Sequence, residues 1–162
     1  MTFAIRPFES RDFTRVHDIC VRAFTPIHEG FERELGPEIF ANQYAGWRER
    51  YADDLIRLTN AAPGTLVHVA EDGGVLLGFV ATSVDEKTKA GEIGLNAVDP
   101  DHQGKGIGRR MYVFALENLK DRGATIAYVG TGADAAHAPA RAAYEAIGFD
   151  KAIPSVHYFK KL

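Results

Sequence analysis

A chain of 162 residues, 46% hydrophobic and 25% charged, can bury a sizeable core without disulfides or metal, and predicts one domain over residues 1–162. Its net charge of -3, with no long basic run, argues against a nucleic-acid or membrane-surface binder, because such partners need concentrated positive charge. Cys20 is the only cysteine, which excludes an internal disulfide or a cysteine-pair metal site; no stretch has signal-peptide or membrane-spanning character, so the cytoplasm is the expected location.

Residues 2–7 alternate Phe3 and Ile5 with polar neighbours, the pattern of a short strand, and Ser10 is placed to cap a following helix. Phe13, Val16, Ile19, Cys20, Ala23 and Phe24 then recur at helical spacing. Residues 25–36 contain Pro26, Gly30 and Gly36 and read as a connection. Pro37 suits a first helical position, and the stripe from Phe40 through Tyr44, Trp47, Tyr51, Leu55 and Leu58 predicts a long amphipathic helix to Asn60. Such a stripe is core before it is a partner surface. The texture changes after Ala61-Ala62-Pro63-Gly64. Residues 65–71 and 75–84 are β-rich and flank Asp72-Gly73-Gly74, a strong hairpin signal, and 92–98 reads as a third consecutive antiparallel strand. A glycine-rich turn, a helix through Met111, Ala115 and Leu119, a stop near Arg122-Gly123 and a strand at 125–129 follow, a unit that favours a parallel pair. A short Ala-rich helix at 138–147 and strand-like segments around Ile153 and at 156–159 close the chain.

The turn DPDHQGKGIGRRM at 99–111 is the most informative stretch. A helix N-terminus carries unpartnered N–H groups and a positive dipole end, so it suits phosphate oxygens. Gly104, Gly106 and Gly108 keep side chains away from those amides, and Lys105, Arg109 and Arg110 add positive charge. The spacing excludes a P-loop, which needs Gly-Lys followed by Ser or Thr, and it departs from the G-x-G-x-x-G dinucleotide fingerprint.

The run from Gln103 to Gly108, through Lys105 and Ile107, resembles the Q/R-x-x-G-x-G/A signature of the GNAT superfamily of N-acetyltransferases. A second match lies about forty residues on, where 140–149 (ARAAYEAIGF) is similar to the family's A-x-x-x-Y-x-x-x-G-F segment. The resemblance implies an α/β fold of α+β type: a mixed, mostly antiparallel sheet of six to seven strands, splayed between strands 4 and 5 and flanked by about four helices. It implies acetyl-CoA as cosubstrate and an amine as acceptor, and dimers are frequent in the family; the other histidines, His17, His28, His68, His102 and His157, are scattered without the i, i+4 pairing of metal-binding helices, so no metal is expected. The pyrophosphate is expected on Gln103, Gly104, Lys105, Gly106, Ile107, Gly108 and Arg109, and the pantetheine arm along Asn96, Ala97 and Val98 as an added strand, with the Val98 amide facing the reacting carbonyl. Tyr144 holds the tyrosine position of the motif, and since a phenol keeps its proton at neutral pH it is the expected general acid. Glu92, five residues before Ala97-Val98, resembles one branch's base position, whereas Gly132 stands where another branch has its carboxylate, with Asp134 close by. His137 stands where many relatives carry a coenzyme-binding asparagine, and imidazole is also a candidate base. Cys20 falls on an apolar helix stripe, which favours direct over covalent transfer. The acid-rich stretch 29–54 borders the expected acceptor side, and no motif there names the acceptor. The rival readings are a non-catalytic acyl-CoA-binding module and a nucleotide-binding protein using the same turn.

Overall fold

The computed structural model describes residues 2–60 and 63–162, so the expected break at Ala61-Ala62 lies outside the described residues. Five strands, β1 (Ala4–Pro7), β2 (Thr65–Asp72), β3 (Val75–Val84), β4 (Ala90–Val98) and β5 (Ile126–Val129), form one sheet in that order. The first four pair antiparallel and β5 joins β4 in parallel. The β2–β3 hairpin turns on Gly73 and Gly74, both at positive φ, as its Asp-Gly-Gly sequence requires. The parallel step needs a crossover, supplied by helix α3 (Ile107–Asp121).

Helices α1 (Phe13–Tyr44) and α2 (Trp47–Asn60) cover one face, burying Val16, Ile19, Cys20 and Leu55 against Val69 and Phe79. Helices α3 and α4 (Ala138–Glu145) cover the other, where Met111, Ala115, Leu119 and Tyr144 pack on Leu77, Val80 and Ile93. Among the described residues no helix is long and apolar enough to cross a membrane.

Three sequence expectations change. First, among the described residues the sheet has five strands rather than six to seven, because residues 150–162 are exposed throughout and none of them is in a strand. Alternating apolar residues make a strand only where a neighbour completes the ladder, and Pro154 removes one donor from this segment. Second, the cap at Ser10 is replaced by a short helical turn, Ser10–Asp12, in which the Asp12 carboxylate accepts the Glu9 N–H at 2.8 Å. Third, residues 25–35 are helical, and the only non-helical residue inside α1 is Gly36, at φ 75° and ψ 162°, just before Pro37. The expected second helix is interrupted at Ala45-Gly46 instead.

Tertiary packing explains the third change. His28, in the middle of the expected connection, is 6% exposed and stacks on Trp47 at 4.0 Å between ring centroids, with the rings of Phe31, Phe40, Tyr44 and Tyr51 around it. Its Nε2 lies 3.3 Å from the Tyr51 hydroxyl, while Nδ1 has no hydrogen-bond partner among the described residues. Burial first, then the charges of Arg50 and Arg48, push the imidazole down to about 4. An unfolded chain therefore binds this proton more readily than the native one. The associated stability is present above pH 6.5 and is lost as pH falls toward 4, by about 2 kcal/mol between pH 7.5 and pH 5. Urea unfolding at those two pH values should show that loss in the wild type and a smaller one in His28→Phe; equal losses would mean that other groups carry it, including His68, which burial and then the charge of Arg122 also lower.

Candidate functional site

The end of β4 is where the sheet opens. Val80 pairs with Asn96 but Thr82 with Ile93, so Ala81 faces two residues, Gly94 and Leu95: a β-bulge. Side chains of a regular strand alternate, which would put Ile93, Leu95 and Ala97 on one face. With the extra residue, Ile93 faces α3 while Leu95 and Ala97 face α1 and α2. Strand β5 pairs only with Ala90 through Ile93, so the two strands part at the bulge.

Hydrogen bonding beyond the bulge follows from the register. Asp99 N–H donates to Leu77 O at 2.9 Å, which makes this pair and the Phe79–Ala97 pair mutually bonded. Asn96 and Val98 alternate with them, so their N–H and C=O groups turn away from β3 and toward the parting. Ala97 has its backbone committed to Phe79.

The chain then enters the glycine turn from a fixed anchor. Asp99 is fully buried, paired with Arg15 and, at 3.0 Å, with Arg22, both on α1. Arg22 also holds Asp101 at 2.7 Å. Gln103 Nε2 donates to Val98 O at 3.2 Å, tying the turn to the strand end. Gly104 and Gly106 have φ of 73° and 77°, a region costly for residues with a Cβ. Gly106 is the N-cap of α3 and supplies no side-chain cap, so the first-turn amides of this 15-residue helix remain for a ligand.

A cleft of about 1000 Å³ joins these parts. Asn96, Ala97, Val98, Gln103, Gly104, Gly106, Ile107, Gly108 and Arg109 line it from β4 and the turn, Gly130 and Thr131 from beyond β5, and His137 and Tyr144 from the α4 side. Glu92 lines it as well, and Arg22, Phe24, Pro26 and Ile27 close it from α1. Lys105 is the exception among the expected residues: it is not part of the lining, and its ammonium donates to Asp101 O at 3.0 Å within the loop. The positive φ angles, the uncapped helix start and the outward-turned strand edge fit a phosphate-bearing ligand with an amide-containing arm.

Tyr144 is 5% exposed and lies 4.8 Å, ring to ring, from Tyr112. Its hydroxyl oxygen is 3.2 Å from Asn96 Nδ2, and the Tyr112 hydroxyl is 2.8 Å from Asn96 Oδ1. Burial first, then Tyr144, holds the Tyr112 phenol well above its ordinary value. Glu92 is half-buried on the other face of β4 from Ile93, its Oε2 3.4 Å from Ser83 Oγ and its register partner Tyr128. Burial and then the Glu92 carboxylate raise the Tyr128 phenol.

His137 is paired with Asp134, two residues beyond Gly132 in the chain. Its Nδ1 lies 2.5 Å from Asp134 Oδ2, and the same carboxylate caps the turn by accepting from Ala136 N–H and His137 N–H at 3.0 and 3.2 Å. For Asp134, burial acts upward but is outweighed by the hydrogen bond and charge of His137, leaving it below the usual carboxylate value. An ionised Asp134 can only accept, so a neutral His137 ring carries its proton on Nδ1 and presents Nε2 as a lone pair. A Cβ at Gly132 would strike both members of this pair. The missing carboxylate at Gly132 thus has a steric cause: the dyad fills that space. Its sequence signal was the Asp-x-x-His spacing at a helix start, whereas nothing local announced the Asn96–Tyr112 or Asp99–Arg15 contacts.

The chain matches the model of the acetyltransferase (GNAT) family over residues 25–149. It is 34% identical over 155 residues to a mycothiol acetyltransferase of Cellulomonas flavigena, covering 86% of this chain and 43% of that protein, and 38% identical over 92 residues to one of Thermomonospora curvata, covering 56% and 29%. It therefore spans less than half the length of these relatives. Among solved structures, the PaiA N-acetyltransferase of Thermoplasma acidophilum in complex with coenzyme A superposes with a TM-score of 0.69 at 16% identity, covering 93% of this chain and 91% of that one. A GNAT family acetyltransferase of Brucella melitensis in complex with acetyl-CoA gives 0.63 at 25% identity, covering 93% and 84%. The bulged β4, the glycine turn and the matched span agree: this chain belongs to the GNAT acetyltransferase family.

Proposed function

We propose that this protein is an N-acetyltransferase that moves the acetyl group of acetyl-CoA directly to a primary amine. The observation that carries the reading is the convergence, in one cleft, of an outward-turned strand edge, an uncapped helix N-terminus and a buried tyrosine. Acetyl-CoA supplies the acetyl thioester. The amides of Gly104 and of the first α3 turn, with Arg109 beside them, hold its pyrophosphate, while Asn96 and Val98 offer main-chain partners to its amide-bearing arm. Ala97 contributes surface only, and His137 Nε2 accepts an N–H from the arm. The Val98 N–H faces the charge that develops on the carbonyl oxygen.

The chain's proton handling completes the reaction. Glu92 takes one proton from the incoming ammonium through water, a C–N bond forms as the C–S bond breaks, the nitrogen, still carrying two hydrogens and a positive charge, releases its second proton to water, and Tyr144 delivers its own proton to the departing sulfur. The products are an acetamide and a thiol, after which solvent restores Tyr144 and discharges Glu92. Acid and base thus approach from opposite faces of β4, which the bulge makes possible.

The test is coenzyme A release from acetyl-CoA against a broad amine panel, beside thermal shifts with coenzyme A, ATP and NAD. Thiol release with some amine and a shift with coenzyme A alone are expected. A coenzyme A shift with no release from any amine would favour the non-catalytic binding module, and a shift with ATP or NAD the nucleotide reading. The base is tested by pH–rate profiles: Glu92→Gln should lower kcat by about 100-fold and remove the ascending limb, while His137→Asn should leave that limb in place. Movement of the limb by His137→Asn instead would assign the base to the Asp134–His137 pair.

Direct transfer makes a separate prediction. Cys20 is fully buried on α1 and does not line the cleft; burial first, then Asp54, pushes its thiol up to about 12. Cys20→Ala should lose about 1 kcal/mol of stability and keep its turnover. Loss of turnover with the fold intact would indicate a covalent route.

A further inference from the structure

We infer that Asn96 is a positioning residue that makes Tyr144, and not its neighbour Tyr112, the proton donor of the cleft. This rests on the acetyl-transfer reading above and deepens it. Asn96 lies between the two phenols, and the chemistry of its neighbours settles the orientation of its amide. One end is 2.8 Å from Gly94 O, a carbonyl that can only accept, so that end is Nδ2. The other end is Oδ1, which can only accept, so the Tyr112 hydroxyl 2.8 Å away must donate to it. The second proton of Nδ2 points to the Tyr144 hydroxyl at 3.2 Å, so the Tyr144 oxygen accepts. Tyr112 has its proton committed to Oδ1; Tyr144 has a lone pair committed to Nδ2, and its own proton is shared between the neighbouring Tyr112 oxygen and the cleft, free to leave because Tyr112 has no need of it.

Two consequences follow. The bond from Nδ2 restricts the rotation of the Tyr144 hydroxyl, whose ring is already held between Tyr112 and Phe149. The same N–H remains in place as the proton leaves, and a donor bonded to a forming phenolate favours the charged form. Placement depends on the bulge. In a regular strand Asn96 and Ile93, three residues apart, would face opposite sides; the extra residue turns Asn96 to the α3 side, where both tyrosines stand, and Gly94 within the bulge supplies the anchoring carbonyl.

The test is a double-mutant cycle on steady-state kinetics with acetyl-CoA and whichever amine supports turnover. Asn96→Leu keeps the shape and removes the bonds, and should lower kcat at least about tenfold with the KM for acetyl-CoA changed less than about threefold. In a Tyr144→Phe background the same substitution should change kcat less than about twofold, since an effect routed through the hydroxyl vanishes with it. Tyr112→Phe, which deletes one oxygen, should lower kcat about threefold and likewise lose its effect beside Tyr144→Phe. This second cycle decides the matter if Asn96→Leu does not fold. Equal factors in both backgrounds, or an effect on KM rather than kcat, would overturn the role of Asn96 while leaving acetyl transfer standing. A wild type that releases no thiol from acetyl-CoA with any amine would overturn both.

Discussion

Replacing Tyr144 with phenylalanine should lower kcat by about 10²–10⁴, the range associated with losing a positioned general acid, while coenzyme A still binds. The ring is packed against Tyr112 and Phe149 and is retained, so the fold and the cleft wall persist and only the transferable proton is removed. Binding by calorimetry and turnover by thiol release separate the two effects. A fall in affinity matching the fall in rate would mean that the hydroxyl serves binding rather than proton transfer.

Gly106→Glu should weaken coenzyme A binding by at least about 100-fold, by setting a carboxylate at the helix N-terminus proposed for the pyrophosphate. Space is not the obstacle, because a Cβ at Gly106 meets nothing within 4 Å. Conformation is a modest one: at φ 77° a non-glycine residue costs about 1–2 kcal/mol. Gly106→Ala carries that same backbone cost without the charge, so it should melt like Gly106→Glu and lose no more than about tenfold in affinity. Comparable losses in both variants would point to strain in the turn instead of charge opposition, and unchanged affinity in Gly106→Glu would remove the phosphate from this turn.

What could be read in advance was set by neighbours in the chain. The Asp72-Gly73-Gly74 hairpin, the start of α3 at the glycine turn, the renewed helix at Pro37 and the parallel β4–β5 step each follow from turn chemistry, capping or crossover length within a few residues. The helix through 25–35 was not readable, since Pro26 and Gly30 argue against it locally. The ring cluster of His28 with Trp47 and Tyr51, which comes from two helices, outweighs them. The closing strands failed for the reverse reason: the alternation around Ile153 and Val156 is present, but none of residues 150–162 is in a strand.

The candidate site divides along the same line. Sequence alone determined the residue types that a phosphate turn and a proton donor require, because glycine spacing and the A-x-x-x-Y segment are local patterns. The tertiary structure decided how these residues are arranged. A single extra residue in β4 opens the sheet, puts Glu92 and Asn96 on opposite faces and brings Tyr112 and Tyr144 to one amide, while Asp134 fixes the proton of His137. These are pairings across 16 to 48 residues or consequences of register, except for the Asp134–His137 pair. Register and long-range contact depend on how whole elements pack, which no short stretch of chain encodes by itself.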